Sequence, residues 1–291
     1  MRSKLTATLA ASVSVLATCT VQYAQADPVF DTRWDPWFES GGQVSTNRSL
    51  GQANLFVPLA QDSDTLLFTD LRGMFDDQNA HEGNFGIGLR QMFASGWNLG
   101  AYGYYDVRRS SYGNTFRQVT LGAEALSETF DLRANVYLPV GETEVRMERG
   151  SSSSVGPWTS DAIMTGTSLA IRHQAVQTTT TSFEVEKALA GVDGEVGVRL
   201  PVFDPQSGFD LRAFFGGYYF DGSGVEAVGG TRARLELTAN DVAGIPGVKL
   251  TGGVTYQSDN VRGDQWIAEA RLRIPRSEEH TSELQSHHDL V

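Results

Sequence analysis

Two neighbouring stretches decide the fold: Gln118-Val-Thr-Leu-Gly-Ala-Glu-Ala125 and Phe130-Asp-Leu-Arg-Ala-Asn-Val-Tyr-Leu138. In both stretches, apolar side chains occupy every second position, and most of the positions between them are polar or charged. A period of two residues is the pattern of a β-strand with one apolar face. Because only a short connection separates the stretches, they predict two antiparallel strands joined in a hairpin.

The same alternation continues from Trp37 almost to the end of the chain. It recurs in segments of roughly 9–12 residues, which is the strand length of a membrane barrel. No stretch approaches the ~18 uninterrupted apolar residues of a membrane helix. The predicted strands are residues 37–46, 49–59, 65–75, 83–93, 96–108, 115–126, 129–139, 191–201, 208–220, 230–239, 248–258 and 264–275.

Two fold classes fit an alternating pattern, because a soluble β-sandwich also has one polar face on each strand. Strand length and aromatic residues near the strand ends favour a membrane barrel, in which such residues form girdles at the two interfaces. We therefore expect an all-β fold, a transmembrane antiparallel up-and-down β-barrel of about 12 strands. The aromatic residues assigned to the girdles are Trp37, Phe38, Phe75, Phe93, Trp97, Phe116, Phe130, Tyr218, Phe220 and Trp266.

The N-terminus has the three parts of a secretory signal peptide. Arg2 and Lys4 give the positive region, residues 9–20 are apolar or small, and Ala24-Gln-Ala26 is a cleavage motif. We expect residues 1–26 to be a signal peptide that is removed on export.

Residues 27–36 then form a short periplasmic segment before the barrel, which spans residues 37–275. A lipoprotein signal ending at Cys19 is the alternative, but the threonine before this cysteine fits such a signal poorly. Cys19 is the single cysteine of the chain. Cleavage after residue 26 would therefore leave an exported protein with no disulfide.

The last residues resemble an artefact. The run Arg276-Ser-Glu-Glu-His-Thr-Ser-Glu-Leu-Gln-Ser-His287 coincides with the translation of a sequencing-adaptor DNA. We treat residues 276–291 as not native, against the alternative of a genuine polar tail, and expect the natural chain to continue past Pro275. The net charge of −12 argues against nucleic-acid binding, because little would neutralise the phosphates.

One long connection, about residues 139–191, interrupts the regular pattern. It contains Gly150-Ser-Ser-Ser-Ser-Val-Gly156, which has the composition of a flexible linker. Residues 167–173 and 181–189 have weak strand character. They predict either a hairpin on an external loop or two more barrel strands, and both keep the strand number even. Because bacterial barrels have short periplasmic turns and longer external loops, both ends of the barrel are expected in the periplasm.

The sequence gives little support for an enzyme. Of the five histidines, only His81 and His173 lie between the signal and the tail, and neither has a metal-ligand partner at a suitable spacing. A serine–histidine dyad would have to come from distant segments. Gly83-x-x-Gly86-x-Gly88 lacks the helix and lysine of a phosphate loop. We expect no catalytic, metal or cofactor site.

The charged residues on the polar strand faces are the candidate functional residues. Eleven basic and nine acidic candidates are nearly balanced, which predicts a lumen stiffened by ion pairs and weakly ion-selective. A selectivity filter would need a local excess of one sign. The lumen residues expected to contact a passing peptide are Arg72, Arg90, Asp106, Glu124, Arg133, Glu195, Arg212, Arg232, Arg234, Glu236, Glu269, Arg271 and Arg273.

Several blocks in order carry a family resemblance. They include Ser49-Leu-Gly-Gln-Ala-Asn-Leu-Phe-Val-Pro-Leu59, Leu66-Leu-Phe-Thr-Asp-Leu-Arg-Gly73, Tyr102-Gly-Tyr-Tyr-Asp106 and Gly217-Tyr-Tyr-Phe-Asp-Gly222. With these blocks the chain resembles the inverse autotransporter β-domain of the intimin/invasin family, from about residue 37 to residue 275 apart from the long connection. The resemblance implies a twelve-stranded barrel whose last strand leads into a linker. That linker returns through the lumen to a C-terminal passenger, often an adhesin or invasin.

The chain departs from the family pattern in two places. No passenger follows residue 275, which fits the adaptor-like tail, and residues 27–35 are too few for a peptidoglycan-binding module.

The expected function is therefore that of an outer-membrane translocator and anchor, which exports and displays an adhesin or invasin passenger. The partners implied are outer-membrane lipid and lipopolysaccharide, the barrel-assembly machinery, periplasmic chaperones and the chain's own passenger. The alternative is a standalone outer-membrane pore for small solutes. A soluble carbohydrate-binding sandwich is disfavoured by the strand lengths.

Overall fold

The computed structural model describes residues 34–46 and 48–276. These residues form sixteen strands and one short 3-10 helix, Val242–Gly244. The strands are β1 (Trp37–Ser45), β2 (Ser49–Gln61), β3 (Thr65–Asp76), β4 (His81–Met92), β5 (Asn98–Arg109), β6 (Thr115–Leu126), β7 (Phe130–Val140), β8 (Glu144–Val155), β9 (Thr159–Thr165), β10 (Ser168–Gln174), β11 (Gln177–Lys187), β12 (Ala190–Leu200), β13 (Phe209–Asp221), β14 (Val228–Asn240), β15 (Lys249–Asp259) and β16 (Gly263–Pro275). Within the described ranges, no helix is long and apolar enough to cross a membrane.

Twelve strands, β1–β7 and β12–β16, close into one antiparallel barrel. Each pairs with the next barrel strand along the chain, and β1 closes the ring against β16, with Trp37 opposite Pro275. Closure removes the unpaired sheet edges that would otherwise invite association with other chains. The expected twelve-stranded up-and-down barrel is confirmed.

Strand alternation explains why these residues form a barrel wall. On β6 and β7, Leu121 pairs with Val136 and Glu124 pairs with Arg133. Leu121 and Val136 are exposed on the outer surface, whereas Glu124 is buried on the lumen side. An apolar outer face and a polar interior are the arrangement of a barrel in lipid.

The long connection forms a separate ribbon outside the barrel. Here "the ribbon" means residues 144–187, in which β8 pairs with β11 and β9 pairs with β10. The two weak strands of the sequence prediction are both present, as β10 and β11. They do not pair with each other or enlarge the barrel, because each pairs with an earlier strand.

The expectation of a flexible serine linker is wrong. Ser151 to Ser154 lie within β8, directly opposite Thr178 to Thr181 on β11. Threonine favours extended backbone, and the facing backbone groups pair along the ladder. The serine-rich composition predicts how this segment would behave in isolation. It does not predict that the fold places β11 beside it as a partner strand.

The base of the ribbon is fastened to the barrel rim. Glu186 on β11 accepts hydrogen bonds from Asn114 Nδ2 at 2.7 Å and Ser110 Oγ at 2.9 Å, both in the β5–β6 connection. Lys187 Nζ lies 3.2 Å from Glu144 Oε2, across the first pair of the ribbon. These contacts fix where the ribbon leaves the wall.

The barrel has two open ends, the terminal mouth and the ribbon mouth. The terminal mouth holds the start of β1 and the end of β16, and the ribbon mouth holds the ribbon. Apart from the ribbon, the connections at the two mouths have similar lengths: residues 62–64, 93–97, 127–129, 201–208 and 241–248 at the terminal mouth, and 46–48, 77–80, 110–114, 222–227 and 260–262 at the ribbon mouth. Without the ribbon, loop length would not distinguish the two mouths. The expected contrast between short periplasmic turns and longer external loops therefore rests on the ribbon alone.

Aromatic rings inside the barrel cover glycines of the neighbouring strand. The Tyr104 ring on β5 covers Gly86 on β4, and the Phe68 ring on β3 covers Gly88. A Cβ atom at either glycine would overlap the ring. Glycine in a strand often marks such a close approach, and the ring replaces the packing that glycine lacks.

Candidate functional site: the barrel lumen

The lumen contains a cavity of about 530 Å³. Its wall is formed by strands β1 to β7 and by β16, so the cavity lies against one side of the barrel. Charged side chains and aromatic rings alternate along this wall.

An aromatic cluster occupies the cavity wall near the terminal mouth. Phe56, Leu66 and Phe68 are almost fully buried there. The Trp37 ring stacks on Phe56 with centroids 5.1 Å apart. The guanidinium of Arg273 lies 3.8 Å above the Trp37 ring, which is the geometry of a cation–π contact. The lumen is thus not purely polar.

Part of the predicted aromatic girdle is wrong. Phe38, Phe75, Phe93, Phe130 and Trp266 are exposed on the outer surface, and Trp97 is half-buried in the connection between β4 and β5. Four others face the lumen instead, because they share the strand parity of charged lumen residues: Trp37, Phe116, Tyr218 and Phe220. Strand parity is the sequence signal that could have found them.

Asp70 and Glu124 organise the middle of the wall. Asp70 accepts hydrogen bonds from Arg72 at 2.5 Å and from the Tyr104 hydroxyl at 2.7 Å. Glu124 lies 2.6 Å from Arg90 and 3.8 Å from Arg133. Asp70 therefore has two hydrogen-bond donors, whereas Glu124 has one such donor, Arg90, and a longer ion pair with Arg133. Such charge-assisted bonds are roughly twice as strong as neutral ones.

Neutral amides and hydroxyls complete this network. Asp106 accepts hydrogen bonds from Asn84 Nδ2 at 2.7 Å and from the Thr120 hydroxyl. Further round the wall, Asn135 accepts a bond from the Tyr102 hydroxyl at 2.8 Å. Most members of this network have hydrogen-bond partners, with the buried Asp70 Oδ1 as an exception, and the paired groups restrict the motion of the wall.

The opposite wall, from β12 to β16, carries a continuous ladder of ion pairs. Arg234 bonds Glu195 and Glu236, each at 2.7 Å. Glu236 in turn lies 2.5 Å from Arg271. Two of these ion pairs reach across the intervening strands β13 and β15, where Gly216 lies opposite Glu195 and Gly253 lies opposite Glu236.

All thirteen residues of the predicted lumen set face the interior and take part in these contacts. Seven line the cavity: Arg72, Arg90, Asp106, Glu124, Arg133, Arg271 and Arg273. The other six belong to the ion pairs of the opposite wall: Glu195, Arg212, Arg232, Arg234, Glu236 and Glu269. Contact of this set with a passing linker stays a prediction.

One important lumen residue was missed from the sequence. Glu39 on β1 lies 2.9 Å from Arg273 and 3.7 Å from Arg271 on β16. Its strand has weak alternation, because Gly41 and Gly42 interrupt it. The parity shared with Gln43, which bonds Glu269 at 3.3 Å, could have identified it.

The ribbon brings one serine and one histidine together. His173 Nδ1 lies 2.8 Å from Ser160 Oγ, across the β9–β10 pair. Both residues are exposed and outside the lumen cavity. Asp161 pairs with Arg172 in the next register position, which points to the opposite face of a strand pair. Among residues 34–46 and 48–276, no group of three or more His, Cys, Asp or Glu side chains is placed to hold a metal ion.

A twelve-stranded closed barrel with an apolar exterior and a charged interior defines an outer-membrane β-barrel. Within that class, residues 26–240 match the family model described as the inverse autotransporter β-domain, and the chain belongs to this family. The family expected from the sequence is confirmed. A comparison with curated protein sequences finds no match.

Similar solved structures are also membrane barrels or membrane proteins. A structure from a study of the in-meso crystallization of membrane proteins matches with a TM-score of 0.51 and 13% identity, covering 88% of this chain and 95% of that one. The KdgM porin in complex with disordered oligogalacturonate matches with a TM-score of 0.44 and 6% identity, covering 83% and 99%. OccK9 (OpdG) of Pseudomonas aeruginosa matches with a TM-score of 0.38 and 10% identity, covering 78% of this chain. The match spans about half of OccK9, 54% of its length.

Proposed function

We propose that this barrel anchors in the bacterial outer membrane and exports a C-terminal adhesin or invasin passenger through its lumen to the cell surface. Membership of the inverse autotransporter β-domain family, over residues 26–240, is the observation that carries the proposal. The proposal includes a cleaved signal peptide, delivery by periplasmic chaperones, insertion by the barrel-assembly machinery and contact with lipopolysaccharide.

The position of the strand ends supports an export route through the lumen. Trp37 and Pro275 are paired neighbours at the terminal mouth. With this mouth in the periplasm, a segment that follows Pro275 starts on the periplasmic side. It can reach the ribbon side only by returning through the barrel, past the charged and aromatic wall of the lumen.

The lumen wall suits a threaded peptide in its chemistry. Backbone amides and carbonyls of an extended segment need hydrogen-bond partners once they leave water. The cavity offers amide, hydroxyl and guanidinium groups from several strands, including Gln52, Asn135 and Arg133. These partners are spread along the wall, so a segment would meet many weak contacts in place of one tight site.

The test uses the fact that both strand ends share one mouth. One fusion places an immunoglobulin-like reporter after Pro275 on a flexible linker, and a second places the same reporter before Trp34. Protease is then added to intact cells. Export predicts cleavage of the C-terminal reporter and protection of the N-terminal one, with both cleaved after permeabilisation.

A third variant controls for insertion and orientation. It carries an epitope at Gly166, in the turn between β9 and β10, which should be accessible on intact cells. If this epitope is accessible and both reporters are protected, the barrel is inserted but does not export, and the standalone pore becomes the better function.

A further inference from the structure

The charges that line the cavity are balanced by number. Five arginines face five carboxylates there. The basic residues are Arg72, Arg90, Arg133, Arg271 and Arg273, and the acidic ones are Glu39, Asp70, Glu82, Asp106 and Glu124. A count alone therefore predicts no preference for either sign.

The arginines and the carboxylates lie at different depths in the wall. The Arg72 side chain is 47% exposed, whereas its partner Asp70 is 7% exposed. Arg133 is 39% exposed above Glu124 at 4%, and Arg273 is 32% exposed above Glu39 at 9%. The carboxylates lie against the wall, and the guanidinium groups stand between them and the lumen.

Chain length and hydrogen bonding explain this order. Aspartate and glutamate are short, and other wall groups also hold their oxygens, such as the Tyr104 hydroxyl on Asp70 and Arg90 on Glu124. Arginine is longer and reaches over them towards the lumen. Each pair is then a dipole with its positive end inward, and neighbouring dipoles of the same direction add to a positive potential in the cavity.

The order is less regular on the opposite wall. Arg232 is 29% exposed above Glu195 at 10%, as on the cavity side. Arg234 and Glu236, however, are both 16% exposed, and Arg212 and Asp210 are 19% and 23% exposed, so these pairs add little to an inward positive potential. The more exposed arginines Arg72, Arg133 and Arg273 lie on the cavity side of the lumen.

We propose that the lumen cavity is a site for small anions, in a chain whose net charge is −12. Arg72, Arg133 and Arg273 have the most exposed side chains of the five cavity arginines. Arg72 and Arg273 hold their own carboxylates through Nε and Nη2, so an anion would be bound through the remaining guanidinium donors and by the positive charge. Arginine rings serve the same purpose in anion-conducting pores. This inference goes beyond passenger export, because it concerns what the empty lumen accepts.

Fluorescence quenching by iodide and caesium tests the site without requiring ion conduction. Trp37 lines the cavity, so one variant keeps Trp37 and replaces the other four tryptophans with phenylalanine. A matched variant keeps only Trp158, which is exposed outside the barrel on the ribbon. Both purified proteins are titrated in detergent with potassium iodide and with caesium chloride at equal ionic strength.

The expected result is a higher iodide-to-caesium quenching ratio at Trp37 than at Trp158. The ratio at Trp37 should fall in an Arg72→Gln/Arg133→Gln background, in which Asp70 keeps its bond from Tyr104 and Glu124 keeps Arg90. Added potassium chloride should reduce the difference, because salt screens exposed charges. The Arg146→Gln/Arg172→Gln background removes two positive charges from the ribbon and should leave the ratio at Trp37 unchanged.

Two results would overturn the anion site whatever the arginine variants do. One is a Trp37 ratio equal to or below that of Trp158. The other is the absence of quenching by either ion, because the lumen would then admit no small anion. An unchanged Trp37 ratio after loss of Arg72 and Arg133, in a protein that still shows heat-modifiable migration on gels, would also remove these residues from the site. None of these outcomes bears on the reporter fusions, so the two proposals fail separately.

Discussion

Glu39 on the first strand bonds Arg273 on the last strand at 2.9 Å, across the seam where the barrel closes. The same carboxylate lies 3.7 Å from Arg271. Two arginines of β16 are thus held by one acid of β1, in addition to the backbone pairing between the strands. The seam joins the most distant parts of the barrel in sequence, and side chains as well as backbone hold it.

Loss of this acid should loosen the seam. Glu39→Gln removes the charge opposite both arginines and should lower the free energy of unfolding by about 1.5–3 kcal/mol, the range for hydrogen bonds to charged groups. Urea unfolding in lipid vesicles measures the change. Glu148→Gln, at an exposed position of the ribbon, is the matched control. Equal, small effects of both variants would show that backbone pairing alone closes the barrel.

The lipid-facing register gives a second prediction. Leu121 and Val136 are paired midway along β6 and β7 and exposed on the outer face. Arginine at either position should cost about 2–4 kcal/mol, the value for a charge near the bilayer midplane. Gln118→Arg places the same side chain on the lumen side of β6 and should cost much less. The unfolding free energy in vesicles compares them, and similar costs on the two faces would contradict the register.

The rings seated over glycines give a third prediction. Gly86→Ala forces a Cβ atom into the Tyr104 ring, so the ring or the strand must move. A cost of about 1–3 kcal/mol is expected from such overpacking. Gly73→Ala on β3 is the control, because no atom lies within 4 Å of the added Cβ. A tolerated alanine at residue 86, with unchanged unfolding, would mean that the ring has another place to pack.

The base of the ribbon should respond to acid. Hydrogen bonds from Arg146 and then Lys187 lower the pKa of Glu144 below its ordinary value. The ionised form is therefore favoured in the folded ribbon. Its stabilising contribution is present above the ordinary pKa of glutamate, about 4.3, and is lost as the pH falls through the lowered value.

Hydrogen exchange, corrected for the intrinsic rate at each pH, should then show protection of residues 144–146 and 185–187 that falls as the pH is lowered from neutral to below the ordinary pKa of glutamate. The Glu144→Gln variant should have low protection at neutral pH as well. Equal protection of the wild type and this variant at neutral pH would exclude a role for Glu144 in fastening the ribbon.

The barrel wall was predictable because its signal is local. On β6 and β7, every second residue is apolar, and this pattern gives strand, face and approximate bounds together. The ribbon was less predictable, since the partners of β10 and β11 lie earlier in the chain and share no period with them. Pairing between distant segments depends on the rest of the fold. The serine run Ser151 to Ser154 has the composition of a flexible linker, so the sequence does not show that it pairs with β11.

The sequence indicates which charged residues face the lumen. It does not indicate which charge of a pair lies closer to the lumen and which lies against the wall. Alternation identifies that Arg72 and Asp70 face the lumen, because they lie two residues apart on one strand. It does not indicate that the arginine covers the acid, which follows from side-chain length and from the Tyr104 hydroxyl on β5, two strands away. The charge that a lumen presents is therefore a property of the folded wall and not of its composition.

The pairing of Tyr104 with Gly86 and of Phe68 with Gly88 also has a consequence for how such a sequence can evolve. A larger residue at the glycine position needs a smaller side chain in place of the ring above it, and loss of the ring leaves bare backbone facing the lumen. Neither position can change freely while the other is kept, so the two should be inherited as a unit. The neutral drift of this barrel would then proceed in steps of two residues on adjacent strands, and part of its store of 31 glycines is fixed by the rings they carry.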